Sequence, residues 1–146
     1  MRVLLRIIFL IGWAVVIFIF TCVDSIETLM EMKSIQFNWT TEPMVEEMLE
    51  PLPADLSNDF LLRKAGHALV FFILTLALYL VLPSPFLNFL YALVYAAATE
   101  TLQLFFMRDG RFFDLGFDSL GIFAAVLLIV LGRRFLKINN ETKIDT

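Results

Sequence analysis

The sequence holds one cysteine, Cys22, and one histidine, His67, in 146 residues. A lone cysteine excludes an intrachain disulfide and a cysteine-based metal centre. Phe20 and Thr21 stand where a lipobox wants small residues, so Cys22 reads as an apolar residue at a helix end. Charge is also scarce: 18% of residues are ionisable and 60% are hydrophobic, against about 25% and 45–50% in a soluble domain. No basic stretch is interleaved with aromatics in a soluble segment, which excludes nucleic acid as a partner. There is no Gly-x-Ser-x-Gly, no cysteine within the polar motifs, and Ser119 is the nearest hydroxyl to them. A nucleophile with its base and orienter is missing, so the reading leans away from an enzyme. The lack of an internal repeat, in so short a chain, argues against a transporter.

Long apolar runs are what the chain does have. Sixteen phenylalanines exceed what a small aqueous core could hide, and crossing a bilayer needs about 17–25 apolar residues. Four segments qualify: 4–23, 65–82, 86–106 and 113–131. The first follows a basic start, as a signal peptide does. Its apolar run is longer, however, and no Ala-x-Ala-like site follows, so it reads as an uncleaved anchor. The second stops at Pro83–Ser84–Pro85, and the fourth is expected to end at Gly132, ahead of Arg133 and Arg134. The fold class is therefore all-α, a four-transmembrane-helix bundle forming one domain over 1–146, in the cell membrane. Oligomeric state is not encoded in any feature of the sequence.

Orientation follows the flanking bases. Arg2 and Arg6 precede the first span, and Arg133, Arg134, Lys137 and Lys143 follow the last. Both termini are thus expected in the cytoplasm, with the loop 24–60 outside. That loop is acidic: Asp24, Glu27, Glu31, Glu42, Glu46, Glu47, Glu50, Asp55 and Asp59 face a single Lys33. Within it, "EPMVEEMLEPL" is either a short amphipathic helix presenting Met44, Val45, Met48 and Leu49, or a solvated loop. Asn38-Trp39-Thr40 matches a glycosylation triplet, to which no weight is given.

In this topology Arg63, Lys64, Arg108 and Arg111 all fall outside, where the rule disfavours bases. They fall beside the other unusual polar groups. Lys64 and His67 share a helix face, as do Glu100 and Gln103, and as do Asp114, Asp118 and Gly121. Glu100 lies six residues before Phe106, roughly 9 Å below the helix end at about 1.5 Å per residue. A bare carboxylate at depth costs at least about 2.5 kcal/mol. A buried ionic cluster is therefore expected, with Glu100, Asp114 and Asp118 facing Arg63, Lys64, Arg108 and Arg111. His67 is expected to hydrogen-bond Glu100 or Asp114. A metal ligand role for His67, Glu100, Asp114 and Asp118 is set aside, because neighbouring bases would repel a cation, and no cofactor is expected.

Three motifs carry a resemblance: "RKAGH" (Arg63, Lys64, His67), "ETLQ" (Glu100, Gln103) and "RDGRFFDLGFDSLG" (Arg108, Asp114, Asp118, Gly121). In this order and spacing, over 61–131, the chain resembles the VanZ-like family of small bacterial membrane proteins. Ala68 and Val70 depart from the aromatic and acidic residues often found after the histidine in relatives, and Arg111 is additional to the pattern. The resemblance implies a place in the cell envelope and a link to resistance against the glycopeptide teicoplanin, without a reaction. The binding candidates are Arg63, Lys64, His67, Glu100, Gln103, Arg108, Asp114 and Asp118. Their expected partners are the lipid bilayer and a headgroup of an anionic lipid, a cell-wall precursor or a glycopeptide. The alternatives are an intramembrane enzyme acting on a lipid-linked substrate, with His67 and Glu100 as base and acid, and a structural or regulatory subunit.

Overall fold

The structure, a computed structural model, describes residues 1–23, 35–43, 45–53, 57–108 and 110–142. The acidic positions Asp24, Glu27, Glu31 and Asp55, together with Met44 and Lys143, lie outside the described residues. The described chain is all-helical. Helix α1 spans Arg2–Cys22, α2 Asn58–Val81, α3 Pro85–Phe105 and α4 Phe112–Thr142. A 3₁₀ turn, Val45–Leu49, interrupts the segment between α1 and α2.

The helix starts follow local chemistry. Ser57 caps α2, its Oγ accepting from the Phe60 N–H at 3.3 Å, and Asp59 places a negative charge in the first turn. α2 therefore begins seven residues before the expected 65. Ser84 caps α3 through the Leu87 N–H at 3.5 Å, with Pro85 in the first turn, where its missing N–H is harmless. At the other end of α3 the Arg108 N–H donates to the Gln103 carbonyl at 2.9 Å, and Met107 takes the left-handed conformation at φ 54°. That pairing is the Schellman stop, with methionine in the place glycine prefers. The expected stop of α4 at Gly132 does not occur; the helix runs on to Thr142. Gly132 does not take the left-handed conformation of a glycine helix stop, and Arg133, Phe135, Leu136 and Lys137 propagate a helix as readily as end one.

Of the four helices, α1, α2 and the Phe112–Lys137 part of α4 are long and apolar enough to cross a membrane. α3 has the length of α1 but a lower apolar content, because it carries Asn88, Thr99, Glu100, Thr101 and Gln103. Asn88, Thr99, Glu100 and Gln103 are buried in the bundle. The core is built from Ile17, Phe71, Leu74, Ala92, Ala96 and Ile122, one or two from each helix. Two aromatic donors tie α1 into it: Trp13 Nε1 donates to the Val70 carbonyl at 2.9 Å and Tyr95 Oη to the Ala14 carbonyl at 2.6 Å. The outward faces are the reverse of a soluble protein's. Leu4, Leu5, Ile8, Leu62, Phe86, Val94, Leu120, Phe123 and Phe135 are exposed, as befits helices solvated by lipid.

Of the two readings of this stretch, amphipathic helix or solvated loop, the structure gives a short 3₁₀ turn, Val45–Leu49, with Val45 and Leu49 exposed. The residues before it fold back on the bundle. Trp39 stacks on Phe105 at 5.4 Å and meets Phe106 edge-on at 5.1 Å, while the Thr40 N–H caps the Phe105 carbonyl at 2.8 Å. At the opposite end Arg6 donates to the Leu80 carbonyl and Arg133 to the Pro83 carbonyl, each at 3.1 Å, and Arg133 lies over the Tyr79 ring. Two bases thus satisfy carbonyls at the α2 terminus that its own helix leaves open.

α2 and α4 make the most extensive contact in the bundle, and Gly121 sets its distance. A Cβ there would overlap the Ala68 carbonyl oxygen and lie 2.6 Å from its carbon. Gly116, on the same helix, has no neighbour within 4 Å. Gly121→Ala is therefore expected to lower stability by about 1–3 kcal/mol, as overpacking does. Gly116→Ala is expected to raise it by roughly 0.5–1 kcal/mol through helix propensity. Unfolding of the two variants in detergent micelles checks the opposite signs.

Candidate functional site

Helix register brings the polar motifs together at the end of the bundle where α1 stops and α2 begins. Lys64 and His67 project from one face of α2, Glu100 and Gln103 from α3, Asp114 and Asp118 from α4. All but His67 of these six are buried, and Asp118 is 0% exposed. Lys64 Nζ reaches Asp114 Oδ1 at 2.5 Å, in an ionic contact whose angle is not that of a hydrogen bond. The same ammonium lies 5.1 Å from the ring centres of both Phe60 and Phe113. These rings shield it from solvent and present their negative faces to it.

One turn deeper, His67 Nδ1 and Asp118 Oδ1 are 3.2 Å apart. The second carboxylate oxygen of Asp118, Oδ2, is buried with no hydrogen-bond partner among the described residues. Glu100 joins this pair: one donor atom from each of His67, Glu100 and Asp118 falls within 4.8 Å of the others. Glu100 is fixed from behind, its Oε2 accepting from the Arg111 backbone N–H at 3.1 Å. Gly110 makes that approach possible, since a Cβ there would overlap the Glu100 carbonyl. Arg111 in turn reaches Glu50 of the preceding loop at 2.9 Å, while its guanidinium lies 5.7 Å from the Phe113 ring centre.

The structure brings Lys64 to Asp114 and gathers His67, Glu100 and Asp118, while Gln103 is buried one turn along α3 from Glu100. Arg63 is exposed and lies outside the cluster; successive helix residues are about 100° apart, so Lys64 and Arg63 cannot share the inward face. Arg108 is half-buried in the α3–α4 loop. His67 bonds Asp118, where sequence reasoning pointed to Glu100 or Asp114. Glu50, Phe60 and Phe113 were not foreseen: an acid in an acidic loop and two phenylalanines among sixteen carry no signal of their own. Arg111 was expected to face the acids with its side chain; instead its backbone N–H serves Glu100 while its guanidinium pairs with Glu50, a contribution invisible to side-chain spacing.

Three long lipid-compatible helices with ionic groups gathered inside them define a multi-pass integral membrane protein. More particularly, the chain belongs to the VanZ/LLP1 family, whose model matches residues 6–133. It is similar to the "Uncharacterized membrane protein YwnJ" of Bacillus subtilis (strain 168), 30% identical over 126 residues that cover 86% of this chain and 90% of the relative. No solved structure matches the chain.

Lys64 and Asp114 are mutually dependent, because each is a buried charge without the other. Lys64→Met alone is expected to destabilise by about 3–5 kcal/mol, and Lys64→Met with Asp114→Leu by much less. A double-mutant cycle on unfolding in detergent measures the difference.

Proposed function

We propose that the protein crosses the membrane four times, with both termini in the cytoplasm, and that its ionic cluster is an extracytoplasmic pocket for the headgroup of an envelope ligand. α3 supports the fourth crossing. Its 21 residues span roughly 30 Å at about 1.5 Å per residue, matching the hydrocarbon core. It also joins the far end of α2 to the near end of α4, and Asn88, Thr99, Glu100 and Gln103 among its polar side chains are buried in the bundle. The orientation rests on the bases of the two termini, with Arg6 and Arg133 at the bundle end opposite the cluster.

The observation that carries the pocket is its charge. Glu100, Asp114 and Asp118 are buried with Lys64, and the only histidine, His67, is half-buried beside them. Lys64 is engaged by Asp114, which leaves Glu100 and Asp118 as surplus acid beside a half-exposed His67. Such a site favours the cationic part of a headgroup over a bare phosphate. Arg63, exposed at the mouth, is suited to a phosphate alongside. Occupation of a lipid or wall-precursor headgroup is the route by which such a protein would contribute to teicoplanin-type glycopeptide resistance, as family membership suggests. The neutralised lysine and the absence, among the described residues of the cluster, of a hydroxyl or thiol nucleophile favour binding over catalysis.

Two experiments test the reading. With Cys22→Ala as background, a cysteine at Glu42 is expected to react with a membrane-impermeant maleimide in intact cells, and one at Arg134 only after permeabilisation. The reverse pattern rejects the topology. Glu100→Gln keeps size and removes charge. It is expected to abolish any protection against teicoplanin and any retention on headgroup-bearing vesicles at unchanged protein level; full retention of both rejects the pocket.

A further inference from the structure

We infer that His67, Glu100 and Asp118 form a binding site for a divalent metal ion of borderline character, of the Zn²⁺ or Mn²⁺ type. This deepens the pocket reading and rests on it, in that it names the cation the surplus acid receives.

The donor set is one imidazole and two carboxylates, contributed by α2, α3 and α4, with donor atoms all within 4.8 Å of one another. Metal–ligand bonds of about 2.0–2.2 Å set neighbouring donors of a tetrahedral site roughly 3.3–3.6 Å apart. The His67 Nδ1 and Asp118 Oδ1 atoms are already 3.2 Å apart, and a Glu100 oxygen within 4.8 Å of both is the third donor that must close on the ion. One imidazole with two carboxylates suits zinc, manganese or iron better than the all-oxygen sets that calcium and magnesium take.

A second observation points to a cation independently of the spacing. Asp118 is completely buried, and its Oδ2 has no hydrogen-bond partner among the described residues. A buried carboxylate oxygen without a partner is expensive, and more so between membrane helices. A divalent ion held by both oxygens of Asp118 removes that penalty and also balances the charge: two carboxylates and a neutral imidazole around M²⁺ sum to zero. The objection that bases would repel a cation is weakened by the geometry. Lys64 is neutralised by Asp114, Arg63 is exposed, Arg111 turns its guanidinium to Glu50, and Arg108 lies half-buried in the α3–α4 loop. The features expected around a metal site are present as well. The Arg111 N–H orients Glu100 as an outer-shell donor. The His67 side chain is 27% exposed, which provides an entry path. Three protein ligands leave at least one coordination position open.

The test uses the full-length protein in detergent, stripped with a chelator and titrated with Zn²⁺ and with Mn²⁺. One ion per chain is expected to bind, raising the unfolding temperature. His67→Ala and Asp118→Asn are each expected to weaken binding by more than about 100-fold, beyond what loss of an outer-shell partner does. Arg134→Ala, at the other end of the bundle, is expected to leave it unchanged. Pulsed EPR of the Mn²⁺-loaded wild type is expected to show coupling to one imidazole nitrogen. This measurement decides the matter even where a variant fails to fold. No binding of either ion, binding unchanged in both His67→Ala and Asp118→Asn, or a Mn²⁺ spectrum without nitrogen coupling overturns the proposal. Its fate is separable from that of the pocket. Absence of metal binding with loss of protection in Glu100→Gln removes the metal alone. Metal binding with full protection in Glu100→Gln removes the pocket and leaves the metal.

Discussion

Everything at the polar end of this bundle depends on how a carboxylate is kept among apolar helices. Asp114 is kept by Lys64, and the pair works because both charges were removed from solvent together, under the rings of Phe60 and Phe113. With that ammonium committed, Glu100 and Asp118 must be held by weaker means: a backbone N–H in one case, a half-exposed imidazole in the other. Pairing one acid fully leaves two held partially, and the incompletely satisfied Asp118 is what turns an ionic lock into a candidate for binding.

Close backbone approach is the second constraint. The cluster spans three helices, so its geometry can be no tighter than the helix separations allow. Gly121 brings α4 against Ala68 of α2, one residue beyond His67, and Gly110 brings the α3–α4 loop against Glu100. In a membrane, where lipid competes for apolar contact, small residues at such crossings are what allow helices to associate closely. The loop between α1 and α2 adds a lid of a different kind. Trp39 and Thr40 seal the end of α3, and Glu50 reaches Arg111, so residues of the acidic segment touch both the cap and the support of the site.

The ends of the bundle divide their labour by charge. At one, Arg6 and Arg133 occupy open carbonyls and carry no acid partner of their own among the described ion pairs. At the other, acids outnumber the bases drawn inside. The described chain thereby gathers bases at one end of the bundle and buried acids at the other.

Much of this was legible in the chain itself. The lengths of the apolar runs dictate helices of about bilayer thickness, because a helix satisfies every backbone group within its own segment, without water. The i, i+3 and i, i+4 spacings of Lys64 and His67, Glu100 and Gln103, and Asp114 and Asp118 place each set on one helix face, because helical geometry is local. Which groups then pair is not local. That Asp118 receives His67, that Asp114 takes Lys64 while Arg63 stays exposed, and that Arg111 serves through its backbone all depend on the rotation and depth of one helix against another. The same holds for the continuation of α4 past Gly132, which does not take the left-handed conformation. Sequence alone determined the rods and the faces they present; only their packing decided which acid is neutralised and which is left with an empty oxygen, since ion pairing inside a bundle is settled by distances of a few ångströms that no spacing along the chain records.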